Sequence, residues 1–376
     1  MKGSMVIGKI RGIQIEINAS WLLIFALVTY MLATSYFPQY YPGWSIALRW
    51  VLGSIIALMM FVSVLLHELS HSLVSASVGI PVNKISLFIF GGIAQMEGEP
   101  DEPLKELKIA TAGPAMSIFL FLFFLLLARM AALMGASEFV IVPLSYLSTV
   151  NLVLAIFNLV PAFPLDGGRV LRALIWHFNG NLKNATQIAS SSGRVFGYFL
   201  IFVGTFWVLT GYVVNGIWFI FIGWFIAQAA QSSYQDMLMS NIFNKIHVSD
   251  LMTDQVVIVS YHLSVQELVE NYFYKYKFTS FPVIQNEELI GMVNLDNVKK
   301  IPPEKWRQTT VGAMTTLLND SLIIAPNDTV STAMAKLFSN GMGRALVMDQ
   351  AKLIGILSRT DILNYIRIHG QLDSKY

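Results

Sequence analysis

The sequence predicts a polytopic α-helical membrane protein: six transmembrane helices with a small rim β-sheet, plus a C-terminal soluble α/β module. Three observations carry that expectation. Of 376 residues, 55% are hydrophobic and 13% charged, against about 25% charged in a soluble protein. Charge is also uneven: residues 1–246 hold 23 of the 48 charged side chains, and the last 130 residues hold the other 25. Finally, the tail repeats itself. Met252-Thr253 recurs 62 residues later as Met314-Thr315, and Leu289–Val293 recurs 64 residues later as Leu353–Leu357. A period of this size with strand–helix content implies two copies of one unit. The expected division is a membrane domain over 1–240 and two repeats over 246–310 and 311–376.

Six runs approach the roughly 20 residues that a crossing helix needs. They are expected near 20–37, 47–66, 107–127, 139–160, 195–212 and 217–230. An even number puts both ends on one side. That side holds Lys2, Lys9, Arg11, Arg169, Arg172 and most other basic residues of this part, whereas Arg49 and Arg129 fall on the other. The positive-inside rule then places both termini in the cytosol of a cell membrane, expected to be prokaryotic. No cleaved leader is expected. The loop Tyr36–Trp44 reads as an outer aromatic belt.

Two stretches alternate with period two: Ile13–Ile17, and Ile85–Phe90 followed by Gly91-Gly92 and Ile93–Met96. The second is expected to be a hairpin. The small sheet that results would be either a structural cap or an edge on which a substrate strand pairs.

Net charge is +2, so nothing points to a nucleic-acid partner. The absence of cysteine excludes a thiolate metal site, which leaves His, Asp and Glu as ligands. Inside the second apolar run stands His67-Glu68-Leu69-Ser70-His71. Polar residues at membrane depth are costly and mark function by default. On a helix, His67 and His71 share a face and can reach one zinc ion. Glu68, offset by about 100°, would approach the metal-activated water as general base.

A catalytic zinc needs a third ligand and an open position. His247, His262 and His369 fall in the tail, and His177 lies on an amphipathic stretch. Asp166 is the stronger candidate. It sits in Asn158-Leu159-Val160-Pro161-Ala162-Phe163-Pro164-Leu165-Asp166-Gly167-Gly168, where two prolines and two glycines break a helix near a span's end. Irregular backbone at that depth belongs against protein or a water-filled cavity. The alternative is an ordinary helix exit with Asp166 solvated. Asn158 reads equally as a donor to a substrate carbonyl or oxyanion and as helix–helix glue.

His67–His71 together with Asn158–Gly168 resembles the site-2 protease family of intramembrane zinc metalloproteases. The strand leading to Ser20-Trp21, the Phe90-Gly91-Gly92 turn and Ala112-Gly113-Pro114-Ala115 are similar to further family elements, and the likeness covers roughly residues 10–230. It implies that His67, His71 and Asp166 hold zinc, that Glu68 is the base, and that the substrate is a transmembrane helix which must unwind locally. One departure is visible: Glu16-Ile17-Asn18 stands where a basic residue or histidine is expected.

The two tail repeats resemble a tandem pair of CBS domains. Such pairs typically bind adenine nucleotides (ATP, ADP or AMP) and often dimerise. The resemblance implies that Ser358 faces phosphate and Asp361 takes the ribose hydroxyls. Asn294 and Asn297 replace the matching hydroxyl and carboxylate in the first copy, so one site is expected rather than two. The alternative is a packing module that binds nothing. The leading expectation is thus a nucleotide-gated intramembrane zinc protease. The rival from another class is a nucleotide-regulated transporter or channel, which would show inverted repeats and charges lining several spans. Neither mark is visible here.

Overall fold

The computed structural model describes residues 4–88, 91–243, 246–350 and 352–373; side chains at 240–242 and 369–373 are outside the description. Two units emerge, Met1–Met237 and Leu238–Tyr376.

The first unit opens with β1 (Ser4–Ile10) and β2 (Ile13–Asn18). The first span follows as α1 (Ser20–Met31), a π-helical stretch at Leu32–Tyr36, and α2 (Phe37–Tyr40). Next come α3 (Ile46–Ser77), β3 (Val82–Phe88), β4 (Gly91–Met96), α4 (Pro103–Leu133) and α5 (Glu138–Asn158). α6 (Asp166–Asn179), α7 (Leu182–Leu209) and α8 (Val213–Phe243) complete the series, the last running across the boundary between units. Six of these segments are long and apolar enough to cross a membrane: 20–40, 46–77, 103–133, 138–158, 182–209 and 213–239. The chain is a multi-pass membrane protein. α6 is the exception, an amphipathic helix whose exposed end carries His177 beside Phe178.

The rim sheet has the order β1-β2-β3-β4, with β2 and β3 parallel and the other pairs antiparallel. The expected hairpin is present as β3 and β4, although residues 89 and 90, including Phe90 of the anticipated turn, lie outside the described residues. β1 was not anticipated: its strand pattern is weak, and Met5, Val6 and Ile7 are exposed. The loop read as an outer aromatic belt is divided: Tyr40 is exposed and Tyr36 and Tyr41 half-buried, while two rings face inward. Phe37 is wholly buried and Trp44 nearly so, stacking with Tyr41 against Phe139 and neighbouring rings. Aromatic rings whose area finds partners in the protein contribute to its core rather than to the lipid interface. α7 and α8 approach so closely at Gly197/Gly223 and Gly204/Gly216 that a methyl group at any of the four would strike the facing backbone; small residues are the usual means of such contact in membranes.

In the second unit, β5 (Val259–Ser260), α9 (Val265–Leu268), α10 (Tyr274–Tyr276), β6 (Ser280–Gln285), β7 (Glu288–Asn294) and α11 (Leu295–Lys299) form the first copy. β8 (Thr316–Leu317), β9 (Ile323–Ile324), α12 (Val330–Ser339), β10 (Arg344–Asp349), β11 (Lys352–Ser358) and α13 (Arg359–Asp373) follow. The copies match in detail. Ser280 pairs with Asn294 as Arg344 pairs with Ser358, and each hairpin shifts register at the same point, 283/284 and 347/348.

Candidate metal centre

α3 has two working faces. Leu65, Leu69 and Leu73, four residues apart, pack on the rim sheet with Ile13, Val82, Ile85 and Leu87. His67 and His71 point elsewhere and are buried, at 4% and 6% exposure. Burying the leucine stripe fixes the helix's rotation, and the rotation aims the imidazoles at α4 and α6.

Asp166 arrives from the opposite direction, as the first residue of α6. The reason differs from the one expected. The two glycines do not break a helix; they occupy the first turn of α6. There a side chain on Gly167 would strike the backbone at Leu159 and Val160, and one on Gly168 would strike Ala162 and Phe163. Their bareness lets 159–165 fold back under the helix start. α7 braces that loop: Phe163 N–H donates to the Ala189 carbonyl at 3.3 Å, and Ser192 Oγ donates to the Pro161 carbonyl.

The three candidate donors converge. His67 Nε2 lies 3.1 Å and His71 Nε2 3.2 Å from Asp166 Oδ2, and the two ring nitrogens are 3.3 Å apart. Donors about 2.0–2.1 Å from one zinc ion at tetrahedral angles lie about 3.3 Å from each other, so the spacing fits. The far sides of both rings are engaged. His71 Nδ1 donates to the Ile109 carbonyl at 2.6 Å, and His67 Nδ1 lies 2.8 Å from Ser117 Oγ. A carbonyl only accepts, so His71 carries its proton on Nδ1 and, when neutral, turns a lone pair toward the centre. Room is provided as well: a methyl group at Gly113 would run into Nε2 of both histidines. Donor chemistry, spacing and clearance all suit zinc.

Glu68, half-buried, lies beneath β4, where a side chain on Gly92 would meet its Cγ and Cδ. Its carboxylate has no hydrogen-bond partner among the described residues. Asn158 ends α5, half-buried, and its carboxamide likewise lacks a described partner. Ser117 and the Ile109 carbonyl carry no motif, and their roles are not visible in the sequence. Gly113 and Gly92 stand out there only as points of likeness, without the clearance that explains them.

Ser358 and Asp361 are together, but bonded to each other. Asp361 Oδ2 accepts from the Ser358 N–H at 2.8 Å and from its Oγ at 2.6 Å. With Phe278, Ser280 and Arg344 they line a cavity of about 60 Å³. The Arg344 guanidinium rests 4.6 Å from the centre of the Phe278 ring. In the first copy, Asn294 caps Asn297 N–H at 2.8 Å, and the Asn297 carboxamide donates to the Met314 carbonyl at 2.6 Å. A larger cavity of about 1120 Å³ includes none of these residues.

A multi-pass protein whose His-Glu-x-x-His helix and a later aspartate converge on one metal-sized centre belongs to the class of membrane-embedded metallohydrolases. Residues 55–139 and 129–203 match peptidase family M50, and 248–304 and 311–368 each match the CBS domain. The chain is 30% identical over 369 residues to zinc metalloprotease MJ0392 of Methanocaldococcus jannaschii, covering 98% of itself and 97% of that protein. It is 32% identical over 371 residues to Rip3 of Mycobacterium tuberculosis, covering 98% and 94%. The solved site-2 protease from Methanocaldococcus jannaschii is similar over 61% of this chain and 94% of its own, at 29% identity and a TM-score of 0.41. This chain belongs to the site-2 protease family, peptidase family M50: it is an intramembrane zinc metalloprotease with a C-terminal CBS pair.

Proposed function

We propose that the chain hydrolyses peptide bonds within transmembrane segments of other membrane proteins, with zinc held by His67, His71 and Asp166 and with Glu68 as general base. The supporting observation is the convergence of three donor atoms, 3.1 to 3.3 Å apart, on space cleared by Gly113. A bound zinc ion would acidify a coordinated water to a pKa of about 7 and polarise the scissile carbonyl. Glu68, whose carboxylate has no hydrogen-bond partner among the described residues, would take a proton from that water and pass it to the leaving amine. Asn158 is free to donate to the substrate carbonyl as negative charge develops there.

A helical substrate must be extended to be cut. Among the described residues β4 is an edge strand, paired with β3 alone, and Gly92 sets its backbone over Glu68. A substrate strand added to that edge would lie beside the base. The basic residues favour both termini on the cytosolic side, which puts the CBS pair there too.

Adenine nucleotide at Ser358 and Asp361 would regulate the protease. The cavity of about 60 Å³ is well below the roughly 300 Å³ of small ligand pockets, so a nucleotide would have to widen it.

The test is cleavage of a helical substrate in detergent. Glu68→Gln should lower the rate by about 10²–10⁴-fold with zinc still bound. Retained cleavage would reject the role of Glu68, and a metal-free parent protein would reject the site.

A further inference from the structure

Among the described residues, α4 meets the two histidines through Ile109, Gly113 and Ser117, and Glu106 continues the same stripe, with spacings of three and then four residues. All four are buried, and Glu106, Ile109 and Ser117 are at 0% exposure. The Ile109 carbonyl orients His71, Gly113 clears the space, and Ser117 meets His67. Glu106, one turn before Ile109, touches neither histidine. It holds α6 instead. Arg172 Nε donates to Glu106 Oε1 at 2.7 Å, Arg172 Nη2 donates to the same oxygen, and Arg169 Nε stands 3.8 Å away.

Arg172 links the helix that begins at Asp166 to the loop that precedes it. It lies six residues along α6 from Asp166, about 9 Å at 1.5 Å per residue. Its guanidinium also sits 5.1 Å from the centre of the Phe163 ring, on the loop that leads into Asp166. A buried ion pair is a poor source of stability, because desolvation consumes most of the attraction. Glu106 Oε2 is buried and has no hydrogen-bond partner among the described residues, which adds to that cost. What such a pair supplies well is a fixed geometry.

We propose that Glu106 and Arg172 form an ionic latch that positions Asp166 against the two imidazoles, with α4 as the common template for both metal-bearing helices. Glu106 is a positioning residue, acting on Asp166 through Arg172. The proposal rests on the zinc reading above, and its test separates the two.

The chain lacks cysteine, so spin labels can be placed by Ser77→Cys on α3 and Leu174→Cys on α6, both exposed. The distance between labels reads the latch without metal. Zinc affinity and the visible spectrum of the cobalt-substituted protein read the centre. Glu106→Gln should broaden the distance distribution, alter the cobalt spectrum and weaken zinc binding by about tenfold or more. If that variant fails to fold because it strands the arginines, the neutral pair Glu106→Gln/Arg172→Met decides with the same three readouts. Arg172→Lys, which keeps the charge and loses the fork, should fall between it and the parent. A folded neutral pair with the parent's distances, cobalt spectrum and zinc affinity overturns the latch. A parent that binds no zinc overturns the metal reading, while the label distances still report on the latch.

Discussion

The metal centre and the CBS cleft are both small groups of polar side chains, yet they are completed in opposite ways. At the centre, both outward-facing ring nitrogens have partners, while among the described residues the inward atoms face one another. In the cleft, Ser358 and Asp361 satisfy each other, and Arg344 lies on Phe278. Two imidazole nitrogens and a carboxylate oxygen, 3.1 to 3.3 Å apart, suit a cation between them. A hydroxyl bonded to a carboxylate needs nothing. The first arrangement is therefore preorganised for its ligand. A ligand entering the second would have to exchange internal bonds for its own, which would suit a weak, tunable response.

The largest effect follows from the clearance at the centre. Gly113→Ala would push a methyl group against both Nε2 atoms, and α4 cannot withdraw without releasing Ile109 and Ser117 from the rings. Zinc affinity should fall by about 100-fold and cleavage with it, measured by metal titration and substrate turnover. Parent-like zinc binding in this variant would mean that the centre is looser than its geometry implies, and the contrast with the cleft would weaken.

The cleft should respond on a smaller scale. Adding ATP, ADP or AMP should change the cleavage rate by a few-fold, since couplings between sites are typically about 1–3 kcal/mol. Asp361→Ala should remove the response. Unchanged cleavage through millimolar nucleotide would mark the CBS pair as a packing module and leave Ser358 and Asp361 as a helix cap alone.

Much of the centre was legible because periodicity and spacing encode it. Four residues on a helix place His67 over His71, and six apolar runs announce six spans. Asp166 was legible as a residue, but the role of its glycines was not, since close packing against Leu159 and Phe163 depends on where the chain returns. Ser117, the Ile109 carbonyl and the latch between Glu106 and Arg172 were illegible for the same reason. Each acts across helices, and a carbonyl carries no signature at all. In the aromatic loop, hydropathy cannot tell an exposed ring such as Tyr40 from a buried one such as Trp44 against Phe139.

The smallest predicted effect lies in the rim sheet, where a third kind of completion appears. Glu16 departs from the basic residue or histidine expected there, and the neighbouring strand supplies the cation instead: Lys84 Nζ lies 3.2 Å from Glu16 Oε2, and Ser86 Oγ donates to the same oxygen at 3.3 Å. The hydrogen bond from Lys84 is the main cause that holds the Glu16 carboxyl below its ordinary range. A carboxylate whose pKa is depressed on folding stabilises the fold fully above the unfolded value of about 4.3. That contribution is lost as pH falls through the lower, folded value. Lys84→Met should therefore lower the melting temperature slightly at neutral pH and converge with the parent at low pH, flattening the acid slope between about pH 5 and 3. An identical acid slope in the variant would show that the sheet draws on this pair for register alone. The rim would then resemble the CBS cleft, complete within itself, more than the centre beside it.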